Sequence, residues 1–156
     1  MKKVSRRLFS ILTIAAALSA GCAEAVSTPT SPSAGSGAGN GSITLSAGDL
    51  AGTWRLLSIQ AAGSAMMPTP AGADYTLTFG DGRLSTRADC NICNGSFSLS
   101  GERLTAGPLL ACTRAACSTM EFENAYTRIL GGEGTVALSG ATLKMSSDRG
   151  VLQFTR

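Results

Sequence analysis

The chain has 156 residues, with 13 Lys or Arg, 10 Asp or Glu and no His, for a formal charge of +3. Without histidine, Ser-His-Asp and Cys-His hydrolases and His-ligated catalytic zinc as usually built are excluded. Lys2, Lys3, Arg6 and Arg7 all fall in the first seven residues, so a chain cleaved before residue 22 carries 3 − 4 = −1 and lacks the basic footprint of a nucleic-acid binder.

Those first residues, "MKKVSRR", lead into an apolar run from Leu8 to Leu18 and then "SAGC", the pattern of a secretory signal. The run of 11 residues is shorter than the ~17 to 25 that cross a bilayer as a helix. "LSAGC" at Leu18 to Cys22 resembles a bacterial lipobox, which makes residues 1–21 a lipoprotein signal peptide and Cys22 the acylated first residue of the mature protein. Two or more fatty chains on Cys22, each buried methylene contributing about 0.8 kcal/mol, give stable anchoring. "SRRLF" at Ser5 to Phe9 also resembles the start of a twin-arginine signal. The expected location is the cell envelope, membrane-anchored and facing the periplasm or exterior.

Residues 22–46 are rich in Ser, Thr, Pro, Gly and Ala ("STPTSPSAGSGAGNGS") with almost nothing to bury, a composition that predicts a disordered linker. As a flexible tether its ~24 residues would span about 25 to 30 Å.

Residues 47–156 have the size of one small domain. Short apolar alternations broken by Gly-containing turns run through it. Strands are expected at Thr53 to Gln60, at Tyr75 to Phe79 with a hairpin return at "RLST", at Ser96 to Leu99 and at Arg103 to Leu104. Three more follow in "TVALS", "ATLKMSS" and "GVLQFTR". The hairpin places Tyr75, Leu77 and Phe79 on the buried face. Antiparallel strands at this spacing predict a sheet that curls on itself. One helix is signed by "CSTMEFENAYTRILGG": Ser118 reads as N-cap with Glu121 completing a capping box, and two glutamates occupy the first turn. Met120, Phe122, Tyr126, Ile129 and Leu130 form its apolar stripe, and Gly131 and Gly132 stop it.

Cys90, Cys93, Cys112 and Cys117 give C-x2-C, eighteen residues, then C-x4-C, a spacing also seen at structural zinc sites. After export such thiols meet an oxidising compartment, which favours disulfides over metal. A catalytic C-x-x-C needs a stabilised thiolate, commonly at a helix N-terminus, whereas Cys93 is followed by "NGSFSLSG", read as a turn and a strand. Cys117, close to a helix start, keeps a redox role open. Two structural disulfides are the favoured reading, with no metal and no cofactor, and four cysteines permit three connectivities.

At this point the domain resembles the META domain of HslJ-like bacterial envelope lipoproteins. The carrying motifs are "LAGTWRL" at Leu50 to Leu56, "TFGDGRLS" at Thr78 to Ser85, and a C-N-x-x-x-G-x-aromatic element at Cys90, Asn91, Gly95 and Phe97. T-R-x-x-C at Thr113, Arg114 and Cys117, "MEFE" at Met120 to Glu123 and the closing "GVLQFTR" follow in the family's order. The resemblance implies a compact α+β fold, a single small domain whose antiparallel sheet curls toward a barrel with one packed helix, and an envelope or heat-shock/stress-related role without an enzymatic activity. Simpler members look to carry only the cysteines matching Cys90 and Cys117, which implies that these two bond and that Cys93 and Cys112 form a second bridge nested inside. The family's frequent Arg after C-N is Ile92 here. Asn91 and Arg114, both within these motifs, are the candidate polar positions, as functional residues or as structural ones, Asn91 satisfying a turn and Arg114 bonding free carbonyls near the bridges.

No Gly-rich phosphate loop precedes a helix, so nucleotide binding has no support. Asp74, Asp81, Asp89, Glu102 and Asp148 fall mostly in expected turns or strand ends, where they are solvated. Two functions remain. The favoured one is a non-enzymatic, lipid-anchored envelope protein with an unknown envelope protein as partner. The alternative is a periplasmic thiol-disulfide redox protein or sensor using Cys117 or Cys93.

Overall fold

The computed structural model describes residues 44–156, so the expected signal peptide, Cys22 and the linker as far as residue 43 lie outside the described residues. Among the described residues two helices, α1 (Ala47–Leu50) and α2 (Met120–Leu130), accompany ten strands. These are β1 (Gly52–Ala61), β2 (Met67–Pro68), β3 (Tyr75–Gly80), β4 (Arg83–Ala88), β5 (Asn91–Ser100), β6 (Arg103–Ala106), β7 (Ala111–Cys112), β8 (Gly132–Ser139), β9 (Thr142–Ser147) and β10 (Gly150–Thr155). Neighbours run β1-β3-β4-β5-β6-β8-β9-β10, and β10 pairs back onto β1. Eight antiparallel strands therefore close a barrel, with β2 added to β1 and β7 added to β5. The architecture is the α+β one expected, carried further to full closure, which removes the long free edges of an open sheet.

Strict alternation builds the wall. In β3, Tyr75, Leu77 and Phe79 are buried as expected, and β10 alternates with Leu152 and Phe154 inside. The β3–β4 hairpin turns at Asp81 and Gly82, with φ of 48° and 70°, the pair of positive φ values that a two-residue turn of matching twist requires. Closure at β1–β10 needs a register shift between Leu56 and Ser58, which leaves the outward Leu57 as an extra residue and brings Ile59 inward opposite Leu152. Gly150 sits at that seam with φ 144°, where a Cβ would run into the Gln60 carbonyl oxygen.

The helix α2 touches β1, β4, β9 and β10, strands on opposite sides of the ring, and so closes one mouth of the barrel. Tyr126, Ile129 and Leu130 face the interior. Tyr75 meets Phe122 and Tyr126 edge-to-face at centroid separations of 5.0 and 5.3 Å. At the other end of β3, Leu50 of α1 is buried, and its carbonyl accepts a 2.8 Å hydrogen bond from Trp54 Nε1, so the indole is enclosed without an orphaned donor.

Three local expectations are corrected. The N-cap of α2 is Thr119 rather than Ser118, and it makes no side-chain cap bond, because its hydroxyl donates to Asp89 Oδ2 at 2.7 Å and meets the Tyr75 hydroxyl at 2.8 Å. Tertiary partners have taken the group that local chemistry assigned to capping. Met120 is exposed rather than part of the buried stripe, and Glu123 is buried in the first turns of the same helix. "CNGS" is not a turn: β5 runs unbroken from Asn91 because it is paired on both sides, with β4 at Ser85–Asn94 and Leu84–Gly95 and with β7 at Cys93–Cys112 and Asn94–Ala111. Gly95 serves there as clearance, since a Cβ would lie 2.7 Å from Leu110 Cδ2.

Candidate functional site

The four cysteines converge at the start of β5. Cys90 is bonded to Cys117 and Cys93 to Cys112, with sequence separations of 27 and 19, so the second bridge is nested in the first. This is the pairing that the resemblance implied. Cys93 and Cys112 are direct cross-strand partners on β5 and β7. The segment from Ala111 to Ser118 has two short-strand residues and otherwise irregular backbone, and the two bridges fasten it across the barrel end beside α2. Hydrogen bonds from Thr113 N to Ile92 O and from Ile92 N to Thr113 Oγ1, both 3.0 Å, continue that attachment.

Asn91, only 1% exposed, is the centre of the arrangement. Its Oδ1 accepts from Ala115 N at 2.8 Å and from Thr113 Oγ1 at 2.9 Å. Its Nδ2 donates to Ala115 O at 3.0 Å and lies 3.0 Å from both Glu123 oxygens and 3.1 Å from Cys117 Sγ. The backbone N–H and C=O of Ala115 fix the amide's orientation, because reversing it would set donor against donor and acceptor against acceptor. Asn91 thus joins β5, the cystine-fastened segment and α2. The expected turn role is replaced by one that spans 32 residues of sequence.

Glu123 supplies the charge of this site. It is 7% exposed, and its placement in the first turn of α2 suits a carboxylate near the positive helix end. Glu123, Asn91, Thr127, Asn124, Met120 and the 112–116 segment line a cavity of about 320 Å³. Arg114 stands on the exposed rim of that cavity and makes no hydrogen bond or ion pair among the described residues, so the expected bonds to nearby carbonyls are not formed. The structure therefore brings Asn91 and Arg114 to one cavity, with opposite surroundings: one enclosed and fully engaged, the other free.

Behind the cavity a chain of hydroxyls seals the barrel mouth. Thr86 Oγ1 donates its single proton to Thr76 O at 2.6 Å, so the Tyr126 hydroxyl, 2.6 Å away, must donate to Thr86. By the same reasoning Tyr75 donates to Thr119. Burial holds both phenols above their ordinary value, far above it for the enclosed Tyr126. These are protonated donors at neutral pH.

The matching family is the META domain, whose sequence pattern covers residues 48–156. The chain belongs to the META domain family. No curated protein matches it. Among solved structures it is similar to an NMR structure of a protein from Burkholderia xenovorans, with 25% identity and a TM-score of 0.59, over 83% of this chain and 98% of that one. A second NMR structure has 23% identity and a TM-score of 0.56, over 71% and 94%. These likenesses concern the fold.

Within this META domain, sequence reasoning reached Asn91, Arg114 and the cysteines but not Glu123. Glu123 read as one more helix-start glutamate, equivalent to Glu121, which is exposed. The available signal was its position: Glu123 lies three residues before Tyr126 and four before Thr127, on the flank of the buried stripe rather than opposite it. Of the carboxylates expected in solvent, Asp74 is exposed and pairs with Arg55 at 3.8 Å and Arg87 at 3.5 Å, while Asp89 is half-buried against Thr119. No group of three or more His, Cys, Asp or Glu that could hold a metal occurs among the described residues.

Proposed function

We propose that this META protein is a non-enzymatic, lipid-anchored component of the bacterial cell envelope, of the HslJ-like type, tethered through Cys22, whose cystine-fastened barrel end binds another envelope protein in a stress-related role. The observation that carries the reading is the pair of nested bridges: they hold an otherwise irregular segment, and with it a cavity whose polar groups are already oriented, without a regular element to do so. A pre-formed surface of this kind lowers the ordering cost of association. Exposed Met120, and Met67, which lines a second depression together with it, add adaptable apolar contact area. The charge of −1 after signal removal and the absence of histidine fit a binding protein rather than a nucleic-acid binder or hydrolase.

The test combines intact mass of the membrane-extracted protein with crosslinked capture from the envelope. Acyl mass at the amino end, release to the soluble fraction by Cys22→Ala, and a captured protein lost on Met120→Asp support the reading. Absence of acylation, or multiple-turnover thiol exchange, overturns it.

One observation favours a redox alternative: Asn91 Nδ2 lies 3.1 Å from Cys117 Sγ, close enough for the proton it shares with Glu123 to turn to that sulfur once a thiolate forms there. A potential between roughly −120 and −270 mV for Cys90–Cys117 would support that reading, and one below about −300 mV would remove it.

A further inference from the structure

Glu123 presents an imbalance that the fold alone does not resolve. The Asn91 amide has two protons, and four acceptors lie within 3.1 Å of its nitrogen: Ala115 O, Cys117 Sγ and the two Glu123 oxygens. One proton goes to Ala115 O, along the axis that also fixes Oδ1. The other is shared between two carboxylate oxygens at equal distances of 3.0 Å. A carboxylate with capacity for about four hydrogen bonds thus receives one. No Lys or Arg among the described residues pairs with it. A charge so enclosed calls for a counter-charge or several donors. The open side of Glu123 is the cavity, whose remaining lining is neutral apart from Arg114 at the rim.

From this we infer that the cavity is a binding site for a single organic cation, a primary ammonium group, with Glu123 as its counter-ion. Three features fit that chemistry. An ammonium has three donors, and the Glu123 oxygens and the Thr127 and Thr113 hydroxyls along the cavity offer acceptors. The Ala115, Ala116 and Met120 side chains give apolar wall for the methylenes that carry such a group. Arg114, free at the entrance, is the competing cation and sets a threshold for entry. The ammonium is borne by a lysine side chain of a partner protein or by a free diamine. The inference rests on this barrel end being a binding face and names what it recognises.

The test follows the Asn91 side-chain amide by NMR in the full ¹⁵N-labelled chain, detergent-solubilised with both cystines intact. The probes are Nα-acetyl-lysine methylamide, putrescine and, as neutral control, the Nα,Nε-diacetylated lysine methylamide. Expected are saturable shifts with the two cationic probes and none with the control. Affinity should weaken at least tenfold in Glu123→Gln and tighten several-fold in Arg114→Ala. Tighter binding of the lysine probe points to a partner side chain, and tighter binding of putrescine to a free diamine. Should Glu123→Gln fail to fold, charged against neutral probe on the unaltered chain decides. Equal response to the neutral control, or no saturable shift even in Arg114→Ala, overturns the inference. A captured envelope partner that survives Glu123→Gln would remove the cation site and leave the binding face standing.

Discussion

Replacing Asn91 by Asp changes one nitrogen to oxygen and almost nothing in volume, so it probes the electrostatics of the site with the packing held. Oδ1 keeps its bonds from Ala115 N and Thr113, but the atom replacing Nδ2 is now an acceptor 3.0 Å from both Glu123 oxygens and from Ala115 O. Two carboxylates at that separation cannot both stay charged, and the pair takes up a proton. At pH 7, holding a proton on a carboxyl whose unfolded value is near 4 costs about 4 kcal/mol, which caps the repulsive term. The single O–H then serves Glu123 or the Ala115 carbonyl but not both, which adds about 1 kcal/mol or more. The expected loss is about 5 kcal/mol at pH 7, a large part of the ~5 to 15 kcal/mol typical of a domain. The shared proton's folded value lies above its unfolded one, so the fold gains as pH falls: the loss shrinks by about 1.4 kcal/mol per unit from pH 7 towards pH 4. Non-reducing urea titrations of variant and parent across that range, followed by the fluorescence of Trp54, the single and fully buried tryptophan, measure it. A loss under about 1 kcal/mol at pH 7, or one equal at pH 4 and pH 7, refutes the Asn91–Glu123 arrangement.

Removing the outer bridge with Cys90→Ala plus Cys117→Ala should cost about 2.5 kcal/mol, because with the inner bridge intact the effective loop is only 27 − 19 = 8 residues. Removing the inner pair as well should cost about 3 kcal/mol more, and guanidinium midpoints in the two steps test this nested order. Alkaline pH should destabilise the barrel: burial raises the Tyr126 phenol, so its contribution is complete below the ordinary value of 10.0 and is lost above it, at about 1.4 kcal/mol per pH unit. Tyr75 acts with the same sign, absorbance at 295 nm should report phenolate only as unfolding occurs, and Tyr126→Phe should reduce the slope. Gly150→Ala should lower stability by at least about 2 kcal/mol, since both the φ of 144° and the Gln60 carbonyl oppose a side chain at the β1–β10 seam; thermal melts give the comparison.

Features that depend on neighbours along the chain were legible before any fold was known. Alternation in "YTLTF" and "GVLQFTR" dictated which residues face inward, Asp81-Gly82 dictated a hairpin, and Gly131-Gly132 ended the helix. The cysteine pairing was reached through the family pattern, not from spacing, which leaves three connectivities open. The rest follows from contacts between segments far apart in the chain. Whether the sheet closes depends on β10 meeting β1 across about ninety residues of sequence, and no local period encodes that meeting. Thr119 abandoned capping for Asp89 and Tyr75, and Glu123, chemically identical to Glu121, was selected for the interior by where the fastened segment and Asn91 lie. Local propensities of tenths of a kcal/mol yield there to buried hydrogen bonds and desolvation of several kcal/mol, terms that arise only once distant residues share a low-dielectric space.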